Sequence, residues 1–394
     1  MEATRELGYQ VQGLTVRTRS RAIQYKMVVD CDVLPLIGEI AREYLSSSGH
    51  RVLVVSNPTV FGLYGQTVET GLKKAGFSVA KFLVGDGERF KTLTTFRKIV
   101  RSLSDNSYER SDGVLALGGG VVGDLAGFAA GVYLRGIPFL NVPTSLLAQI
   151  DSSVGGKTGV NLISGKNLLG VFHQPVAVIA DLATLRTLPR REFVSGSCEM
   201  VKQAAVANKK LFKQTSDVLQ ALRSGTATVC SSPMKHLVAE HCRFKASIVA
   251  NDEREEHQRN DNRSRKILNF GHTFAHALEA VTKYRRFLHG EAVGIGVVVA
   301  ATISNNMSLL TTREKELLVD AVDLCGPLPN TRGVDIDAVL SSVGRDKKTT
   351  GGETHWVLLQ HIGHPQIVKA SSIPRQLLRT SVEEALAIAT DLRS

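Results

Sequence analysis

The chain has 394 residues, of which 43% are hydrophobic and 22% charged, and it carries a formal net charge of +11. This length holds two domains with buried cores, and the composition is that of a soluble globular protein. No apolar run reaches the roughly 20 residues of a membrane-spanning helix, and residues 1–13 lack the basic-then-apolar pattern of a secretory signal. We therefore expect no association with a membrane.

The positive charge raises the question of nucleic acid, which the residue pattern disfavours. Basic residues are spread along the chain, and no basic stretch alternates with aromatic side chains that could stack on bases. Anionic small molecules explain the charge at least as well, so nucleic acid is not an expected partner.

Five cysteines are scattered along the chain, odd in number and without a CxxC pair. Such usage favours a reducing cytoplasm and disfavours a disulfide framework or a structural zinc knuckle. We therefore expect a cytoplasmic protein.

The first half of the chain alternates between strand-like and helical patterns. Segments 14–18 and 25–30 read as edge strands, and an amphipathic helix is predicted over 34–47. Short apolar, strand-like runs follow at 51–56, 77–84, 114–117 and 138–142. This alternation predicts a parallel, doubly wound sheet, which binds ligands at the carboxyl ends of its strands.

A glycine turn, Gly118–Gly120, follows the run 114–117 and opens a helix of small residues. Backbone N–H groups at a helix N-terminus attract anions, and glycine lets a phosphate approach closely. The spacing is not the GxGxxG of the ordinary dinucleotide fingerprint. Judged on its residues alone, the turn is equally typical of close helix–sheet packing without a ligand.

Polar residues and glycines are concentrated between Pro143 and Gly170. The interleaved glycines predict loops that fold over a ligand, and Lys157 and Lys166 would offer mobile cations to a phosphate or carboxylate. Flanking apolar residues indicate that the segment is packed, so we interpret it as part of a binding site.

From about Thr187 long helical patterns replace the alternation. We predict an α/β domain over residues 1–186 and a mainly α-helical domain over residues 187–394. Glu199 and Lys202 lie one turn apart on the first of these helices, among small and apolar residues. An exposed pair of this kind contributes little, but these surroundings indicate that the pair faces a cleft.

Three histidines and two carboxylates occur close together in the helical half. His272 and His276 would share one helical face, and His289 follows shortly before another apolar helix. With Glu279 and Glu291 they suit a divalent-metal site, although capping and packing account for them equally well. The zinc-protease pattern needs Glu directly after the first histidine, where this chain has threonine, so a metalloprotease is not expected.

Several motifs between residues 50 and 360 resemble, in order, those of the 3-dehydroquinate synthase family. They are LALGGGVVGDLAGFAA, VPTSLLAQIDSSVGGKTGVN, SGKNLLGVFHQP, CEMVKQ, LNFGHTFAHALEA and LHGEAVGIG. The ordered set is far more specific than any single glycine turn.

This resemblance implies an α/β NAD-binding domain with a Rossmann-like parallel sheet, a mainly α-helical C-terminal domain, and an active site in the cleft between them. It also implies conversion of 3-deoxy-D-arabino-heptulosonate 7-phosphate to 3-dehydroquinate and phosphate in the shikimate pathway. The family uses transient NAD-dependent oxidation, phosphate elimination, reduction and intramolecular aldol closure. We therefore expect NAD, a divalent metal such as zinc or cobalt, a small anionic sugar-phosphate substrate and a homodimer.

The resemblance also assigns site residues. The metal ligands match Glu199, His272 and His289. The substrate cradle matches Arg135, Lys157, Asn167, Lys202, Lys245, Arg265, Asn269, Lys347 and Lys348. The cofactor positions match Asn57, Glu88, Lys91, Gly119, Gly120, Val121, Asp124, Thr144, Ser145, Leu147, Asp151, Ser152, Lys157, Lys166, Thr184, Thr187, Leu188 and Glu192. His276 matches the proton relay, and Asp151 would orient the nicotinamide end or Lys157.

The chain departs from the family's pattern at three places. A polar insert at 256–264 separates Glu255 from Arg265, which weakens the assignment of Glu255 to the site. Ala275 stands where the family commonly has Gly, and Ser145 stands where it often has Thr.

Other enzymes share parts of this pattern. Sugar phosphate cyclases that make 2-epi-5-epi-valiolone or 2-deoxy-scyllo-inosose have the same metal, NAD and glycine motifs, but their substrates lack a carboxylate. Arg265, Asn269 and the run 346–348 resemble the dehydroquinate type. An NAD-dependent polyol dehydrogenase is a further alternative, and it would release NADH instead of recycling it.

Overall fold

The computed structural model describes residues 24–45, 48–256, 259, 261, 263–349 and 354–392, without the side chains of 344–349 and 391. Its first eight strands are β1 (Lys26–Asp30), β2 (Arg51–Ser56), β3 (Ser78–Leu83), β4 (Gly113–Gly118), β5 (Phe139–Pro143), β6 (Lys157–Leu162), β7 (Gly165–Phe172) and β8 (Ala177–Asp181). Six of them form one parallel sheet in the order β1-β8-β5-β4-β2-β3. The predicted parallel sheet is confirmed.

Helices cover both faces of this sheet. They are α1 (Ile37–Tyr44), α2 (Pro58–Val60), α3 (Gln66–Lys74), α4 (Leu93–Asp105) and α5 (Gly120–Val132). On one face Ile37 and Leu72 pack α1 and α3 against the strands, and on the other Ile99 and Leu125 pack α4 and α5. The central strand β4 is buried throughout, which explains its unbroken apolar sequence.

The strand order reverses between β2 and β4. From β2 the chain continues to β3 on one side, whereas from β4 it continues to β5 and β8 on the other. The crevice at the carboxyl ends of such diverging strands is the usual ligand site of this architecture. Asn57 directly follows β2 and Gly119 directly follows β4, so both lie at this crevice.

The second half is mainly helical, as predicted. Its helices are α6 (Arg190–Ala207), α7 (Lys209–Arg223), α8 (Ser232–Asn251), α9 (His272–Val281), α10 (His289–Asn306), α11 (Thr312–Leu324), α12 (Ile336–Thr349) and α13 (Arg375–Asp391). An antiparallel pair, β9 (His355–His361) and β10 (His364–Lys369), packs beside them. Since α10 is buried on all sides and contacts α6, α9, α11 and α13, it is the centre of this half.

Loops were predicted in the glycine-rich segment between Pro143 and Gly170, but there β6 and β7 form an antiparallel hairpin. The glycines serve close strand pairing, because a Cβ on Gly170 would lie 2.0 Å from the carbonyl oxygen of Thr158. The hairpin packs on α5 and carries the polar residues of this segment toward the helical half.

The cysteine pattern disfavoured a disulfide framework, but the structure contains one disulfide within the described residues. Cys31, after β1, and Cys230, before α8, form a disulfide with their Cα atoms 5.7 Å apart. The two residues are 199 positions apart in sequence, so their pairing depends on the packing of β1 against α8 and leaves no spacing signal.

Two predictions made from the sequence are not tested by the structure. The strand predicted at 14–18 lies outside the described residues. The division into domains between residues 186 and 187 stays a prediction. Among the helices of the described ranges, none is long and apolar enough to cross a membrane.

Candidate active site

Four side chains from three helices converge in the helical half. His272 and His276 lie one turn apart at the start of α9, and His289 is the first residue of α10. Glu199 reaches them from the middle of α6. Gly271 precedes α9 with a φ of 78°, and a Cβ there would lie 2.8 Å from the backbone of α10. This glycine therefore permits the close helix packing that gathers the histidines.

His272 and His289 both face Glu199 with their Nε2 atoms. Its Oε1 lies 3.6 Å from His272 Nε2 and 3.4 Å from His289 Nε2. On the far side of each ring, His272 Nδ1 lies 3.3 Å from the carbonyl oxygen of Phe270, and His289 Nδ1 lies 3.1 Å from Glu279 Oε2. A neutral ring that donates its Nδ1–H keeps the Nε2 lone pair for a metal.

The Glu199 carboxylate is buried and lacks hydrogen bonds from the described residues. Its side chain is 1% exposed, and neither oxygen accepts a hydrogen bond from the described residues, although Lys202 Nζ lies 2.8 Å from Oε2. A buried carboxylate is costly unless hydrogen bonds or a cation offset its lost hydration. Burial and Lys202 also lower the pKa of His272 well below its usual range, so its ring is neutral. This donor set fits a divalent cation such as zinc or cobalt.

His276 is close enough to be an alternative ligand. One nitrogen from each of the three histidines lies within 4.8 Å of the others. The His276 side chain is exposed, however, whereas Glu199 is buried and lacks hydrogen bonds from the described residues. We therefore favour Glu199, His272 and His289 as the ligand set, with His276 beside it at the solvent side.

The two carboxylates of the same segment have other partners. Glu279 accepts a hydrogen bond from His289 through one oxygen and pairs with Lys166 through the other. Glu291 accepts the backbone N–H that precedes α10 and pairs with Arg191. Because both carboxylates are engaged in this way, neither is favoured as a metal ligand, although Glu279 lies directly behind His289.

A buried cluster of opposite charges adjoins Glu199. Lys245 Nζ lies 2.8 Å from Asp151 Oδ1 and 2.6 Å from the carbonyl oxygen of Asp151. Burial alone would raise the pKa of Asp151, but Lys245 and Lys202 together lower it, so the carboxylate stays ionised. Asp151 thus orients Lys245 and not Lys157, and the alternative role of Asp151, at the nicotinamide end, stays a prediction.

Lys157 instead pairs with Glu255 across the cleft. The insert made Glu255 doubtful in the sequence, yet the fold brings it to a predicted substrate cation. Arg265 lies against Gly155, where a Cβ would meet its Nη2 at 2.5 Å, and it donates to the carbonyl oxygen of Glu253. Two cations therefore border the loop that also carries Asp151.

Other predicted substrate residues lie apart from this cluster. Asn269 is exposed at the end of the short helix before α9. Arg135 is exposed at the C-terminal end of α5, about 20 Å from the glycine turn. Asn167 contacts Lys91 at the hairpin tip. The side chains of 347–348, on α12, are not described.

The glycine turn forms the opposite side of the cleft. A Cβ on Gly120 would lie 3.1 Å from Ser152 Oγ, and a Cβ on Gly119 would lie 3.5 Å from Ser145 Oγ. Bare backbone and two hydroxyls thus meet at the start of α5, which suits a pyrophosphate. Asn57 caps the helix after β2, since its Oδ1 accepts from the backbone N of that helix at 2.8 Å.

Lys91 ties the hairpin tip to this crevice. Its ammonium contacts Asp124 on α5 and Asn167 on the hairpin. Burial raises the pKa of Asp124, and Lys91 opposes that rise. Glu88 accepts from Asn161 Nδ2 at 2.7 Å, a contact that the sequence did not suggest.

The remaining predicted cofactor residues follow the strand ends or begin the next helices. They are Val121, Thr144, Leu147, Thr184, Thr187, Leu188 and Glu192. Thr144 donates its backbone N–H to Gly118, and Thr187 bonds with Tyr64. Burial raises the pKa of Glu192.

A buried hydrogen-bond chain behind Asp151 was missed by sequence reasoning. Gln203 Nε2 donates to Asp151 Oδ1 at 2.9 Å, and His241 Nδ1 lies 3.2 Å from Gln203 Oε1. Thr215 Oγ1 lies 3.1 Å from the other ring nitrogen of His241. Burial and Lys202 lower the pKa of His241 to about 3, so the ring is neutral. Only the position of Gln203 within CEMVKQ hinted at this role.

Comparison with known proteins agrees with the geometry. Residues 81–195 match the family model of the 3-dehydroquinate synthase N-terminal part, and residues 196–349 match that of its C-terminal part. The chain is 41% identical to 3-dehydroquinate synthase of Picosynechococcus sp. over 352 residues, covering 89% of this chain and 93% of the relative. With that of Symbiobacterium thermophilum it shares 40% over 364 residues, covering 91% and 97%.

Solved structures of sugar phosphate cyclases share the fold. A 2-epi-5-epi-valiolone synthase from Streptomyces hygroscopicus subsp. jinggangensis, with NAD+ and Zn2+ bound, has a TM-score of 0.80 at 25% identity, covering 97% of this chain and 99% of that one. A 2-deoxy-scyllo-inosose synthase with carbaglucose-6-phosphate, NAD+ and Co2+ has a TM-score of 0.76 at 25% identity, covering 91% and 96%. Glycerol dehydrogenase from Schizosaccharomyces pombe, with a TM-score of 0.64 at 14% identity, covering 95% and 92%, shares the fold alone.

Proposed function

This chain belongs to the 3-dehydroquinate synthase family, and we propose that it converts 3-deoxy-D-arabino-heptulosonate 7-phosphate to 3-dehydroquinate and phosphate. As a phosphate-eliminating lyase it would act in the shikimate pathway. The convergence of Glu199, His272 and His289 beside a buried lysine cluster, opposite a glycine turn, carries this proposal. No simple binding protein needs that combination.

NAD and a divalent metal, zinc or cobalt, are the proposed cofactors. The bare backbone at Gly119 and Gly120 supports the first, and the buried Glu199 carboxylate, which lacks hydrogen bonds from the described residues, supports the second. When bound, NAD supplies a hydride acceptor and donor, and the cation supplies Lewis acidity toward a substrate hydroxyl.

The side chains around these positions would bind and orient the anionic substrate. Lys157 is half-exposed on a long stem, so its ammonium is free to exchange Glu255 for the substrate's phosphate. Arg265 offers the bidentate geometry that a carboxylate prefers. His276, exposed beside the ligand set, is suited to carry a proton between the site and water. Closure of the cleft would exclude water from the oxidised intermediate.

Two other reactions compete with this proposal. The structural neighbours include cyclases whose substrates lack a carboxylate, but identity to 3-dehydroquinate synthases is near 40%, against 25% to those cyclases. Polyol dehydrogenases resemble the chain in fold alone. The lysine and arginine cluster also favours a substrate with two anionic groups.

A phosphate-release assay separates these reactions. We expect release from the heptulosonate phosphate, loss of release with a chelator, and recovery on adding Zn2+ or Co2+. Absorbance of NADH should not accumulate, because the cofactor is recycled. Turnover of sedoheptulose 7-phosphate alone would identify another cyclase, and net NADH production would identify a dehydrogenase.

The homodimer and the cytoplasmic location stay predictions. The hairpin exposes five large apolar side chains: Leu162, Ile163, Leu168, Leu169 and Phe172. Such a patch is typical of a surface that another chain covers, which supports a dimer. Sedimentation of the chain and of Ile163→Asp would test it, since only the variant should sediment as a monomer. Cell fractionation tests the location.

A further inference from the structure

The tip of the hairpin reaches across the cleft to the helical half. Lys166, the second residue of β7, brings its Nζ to 3.1 Å from Glu279 Oε1 on α9. The same ammonium lies 4.0 Å from the centre of the Tyr284 ring. The neighbouring Asn167 contacts Lys91 at the sheet edge. Adjacent residues of one tip thus touch both sides of the candidate site.

Glu279 connects this tip to a candidate metal ligand. Its Oε2 accepts from His289 Nδ1 at 3.1 Å while Oε1 holds Lys166, and its side chain is only 4% exposed. Both carboxylate oxygens are therefore engaged, one on each side of the cleft. Rotation of the Glu279 side chain would break both contacts at once.

We propose that Glu279 is a positioning residue that fixes His289 in the Nδ1–H tautomer, and that Lys166 holds Glu279 in place from the other side of the cleft. The inference rests on the metal centre of the proposed function. A carboxylate on Nδ1 aims Nε2 at the cation and raises its basicity. Lys166 affects the metal centre through Glu279, so hairpin docking and metal binding stabilise each other.

Linkage makes this coupling reciprocal. If a docked hairpin raises the affinity for the cation, bound cation must favour the docked hairpin by the same factor. The hairpin also carries Lys157 and packs on α5 near the glycine turn. Loading of the metal would therefore help to order the strand pair that borders the substrate and cofactor positions.

Metal affinity, measured by chelator competition with Zn2+ and Co2+, tests the proposal without substrate. Glu279→Gln should weaken binding by about 10- to 100-fold. Lys166→Met should weaken it by roughly fivefold, and the double variant should equal Glu279→Gln alone. In the Co2+-loaded protein, Glu279→Gln should also shift the visible ligand-field absorption, which a general loss of stability would not do.

A second lysine–glutamate ion pair provides a matched control for these substitutions. Lys315 and Glu384 lie 2.9 Å apart between α11 and α13, away from the cleft. Lys315→Met and Glu384→Gln remove comparable charges and should leave metal affinity and the Co2+ spectrum unchanged. If Glu279→Gln does not fold, Lys166→Met still tests the coupling, because Lys166 is one-third exposed and lies in a hairpin.

Hydrogen exchange tests the reciprocal effect. Added Zn2+ should slow amide exchange in residues 157–172 several-fold in the unaltered chain and should have no such effect in Lys166→Met. Unchanged metal affinity in Glu279→Gln, or independent effects of the two substitutions, would overturn the inference while phosphate release could still establish the function. Absence of metal binding in the unaltered chain would overturn it as well. Tight metal binding without turnover of the heptulosonate phosphate would instead refute the proposed function alone.

Discussion

At the carboxyl edge of the sheet, the candidate site consists of backbone N–H groups, glycines and hydroxyls. Across the cleft it consists of buried charged side chains that compensate one another. We call these the sheet side (Asn57, Gly119, Gly120, Ser145 and Ser152) and the charged side (Asp151, Glu199, Lys202, Lys245, His272 and His289). On the sheet side, a larger side chain at one position obstructs the approach of a ligand at that position only. On the charged side, removing one member leaves its partner buried and unpaired, which costs several kcal/mol.

The two sides should therefore respond differently to substitution. The charged side is expected to fail as a unit, because Glu199 and Lys202 share one ion pair and Asp151 and Lys245 share another. The sheet side is expected to respond in proportion to the volume added, because its contacts are steric. Three experiments test this distinction.

The largest effect is expected for His272→Ala. Loss of one imidazole opens the donor set around Glu199, so the variant should lose its bound metal and release phosphate at least about 10³-fold more slowly. NAD should still bind, because the sheet side is untouched. Metal content, phosphate release and NAD titration measure the three outcomes.

His361→Ala is the matched control, since His361 is exposed, lies on β9 and pairs with Glu314 on α11. It should retain metal and activity. Full activity in His272→Ala would remove this residue from the ligand set, and loss of NAD binding in the same variant would show that the two sides are not independent.

Sequence reasoning predicted the elements of both sides better than their contacts. The unbroken apolar run of β4 and the glycines after it predicted a buried strand that ends at a ligand crevice. The spacing of His272 and His276 predicted a shared helical face. These features are local, because strand burial and helix periodicity are determined by residues that are close in sequence.

Contacts between distant segments could not be predicted in this way. The pairing of Lys157 with Glu255 and of Lys166 with Glu279 depends on a hairpin that glycines had suggested to be loops. The disulfide and the hydrogen bonds of His241 depend likewise on how separate elements pack. In the sequence, Lys166 and Glu279 are only two charged residues 113 positions apart.

An intermediate effect on stability is expected when the pH is lowered, through His241, which lies behind Asp151 of the charged side. Its pKa is about 3 in the folded protein, against the ordinary histidine value of 6.5 in an unfolded chain, so the unfolded state binds more protons between these values. Stability therefore falls as pH falls below about 6.5, by about 2 kcal/mol at pH 5, and His241 adds no pH dependence above that window.

Denaturant unfolding at pH 7 and pH 5 measures this loss. His241→Asn keeps a donor toward Gln203 but does not titrate, so the variant should lose about 2 kcal/mol less between the two pH values than the unaltered chain. His236→Asn, on the exposed face of the same helix, should lose as much as the unaltered chain. Equal losses in all three proteins would mean that His241 is not held neutral.

The smallest effect is expected on the sheet side, for Gly120→Ala. The added Cβ would lie 3.1 Å from Ser152 Oγ and would occupy the approach of a pyrophosphate to the backbone, so NAD affinity should fall by about tenfold, or about 1.4 kcal/mol. Metal affinity should not change. Alanine is favoured over glycine within a helix, so stability should be maintained or slightly raised.

Gly62→Ala provides the comparison, because a Cβ at Gly62 meets nothing within 4 Å. It should raise stability by a similar amount without affecting NAD. A graded series at Gly120, from Ala to Val, should weaken NAD binding stepwise while phosphate release at saturating NAD stays measurable. An abrupt loss of both metal and NAD with the first methyl group would mean that the sheet side, like the charged side, functions only as a unit.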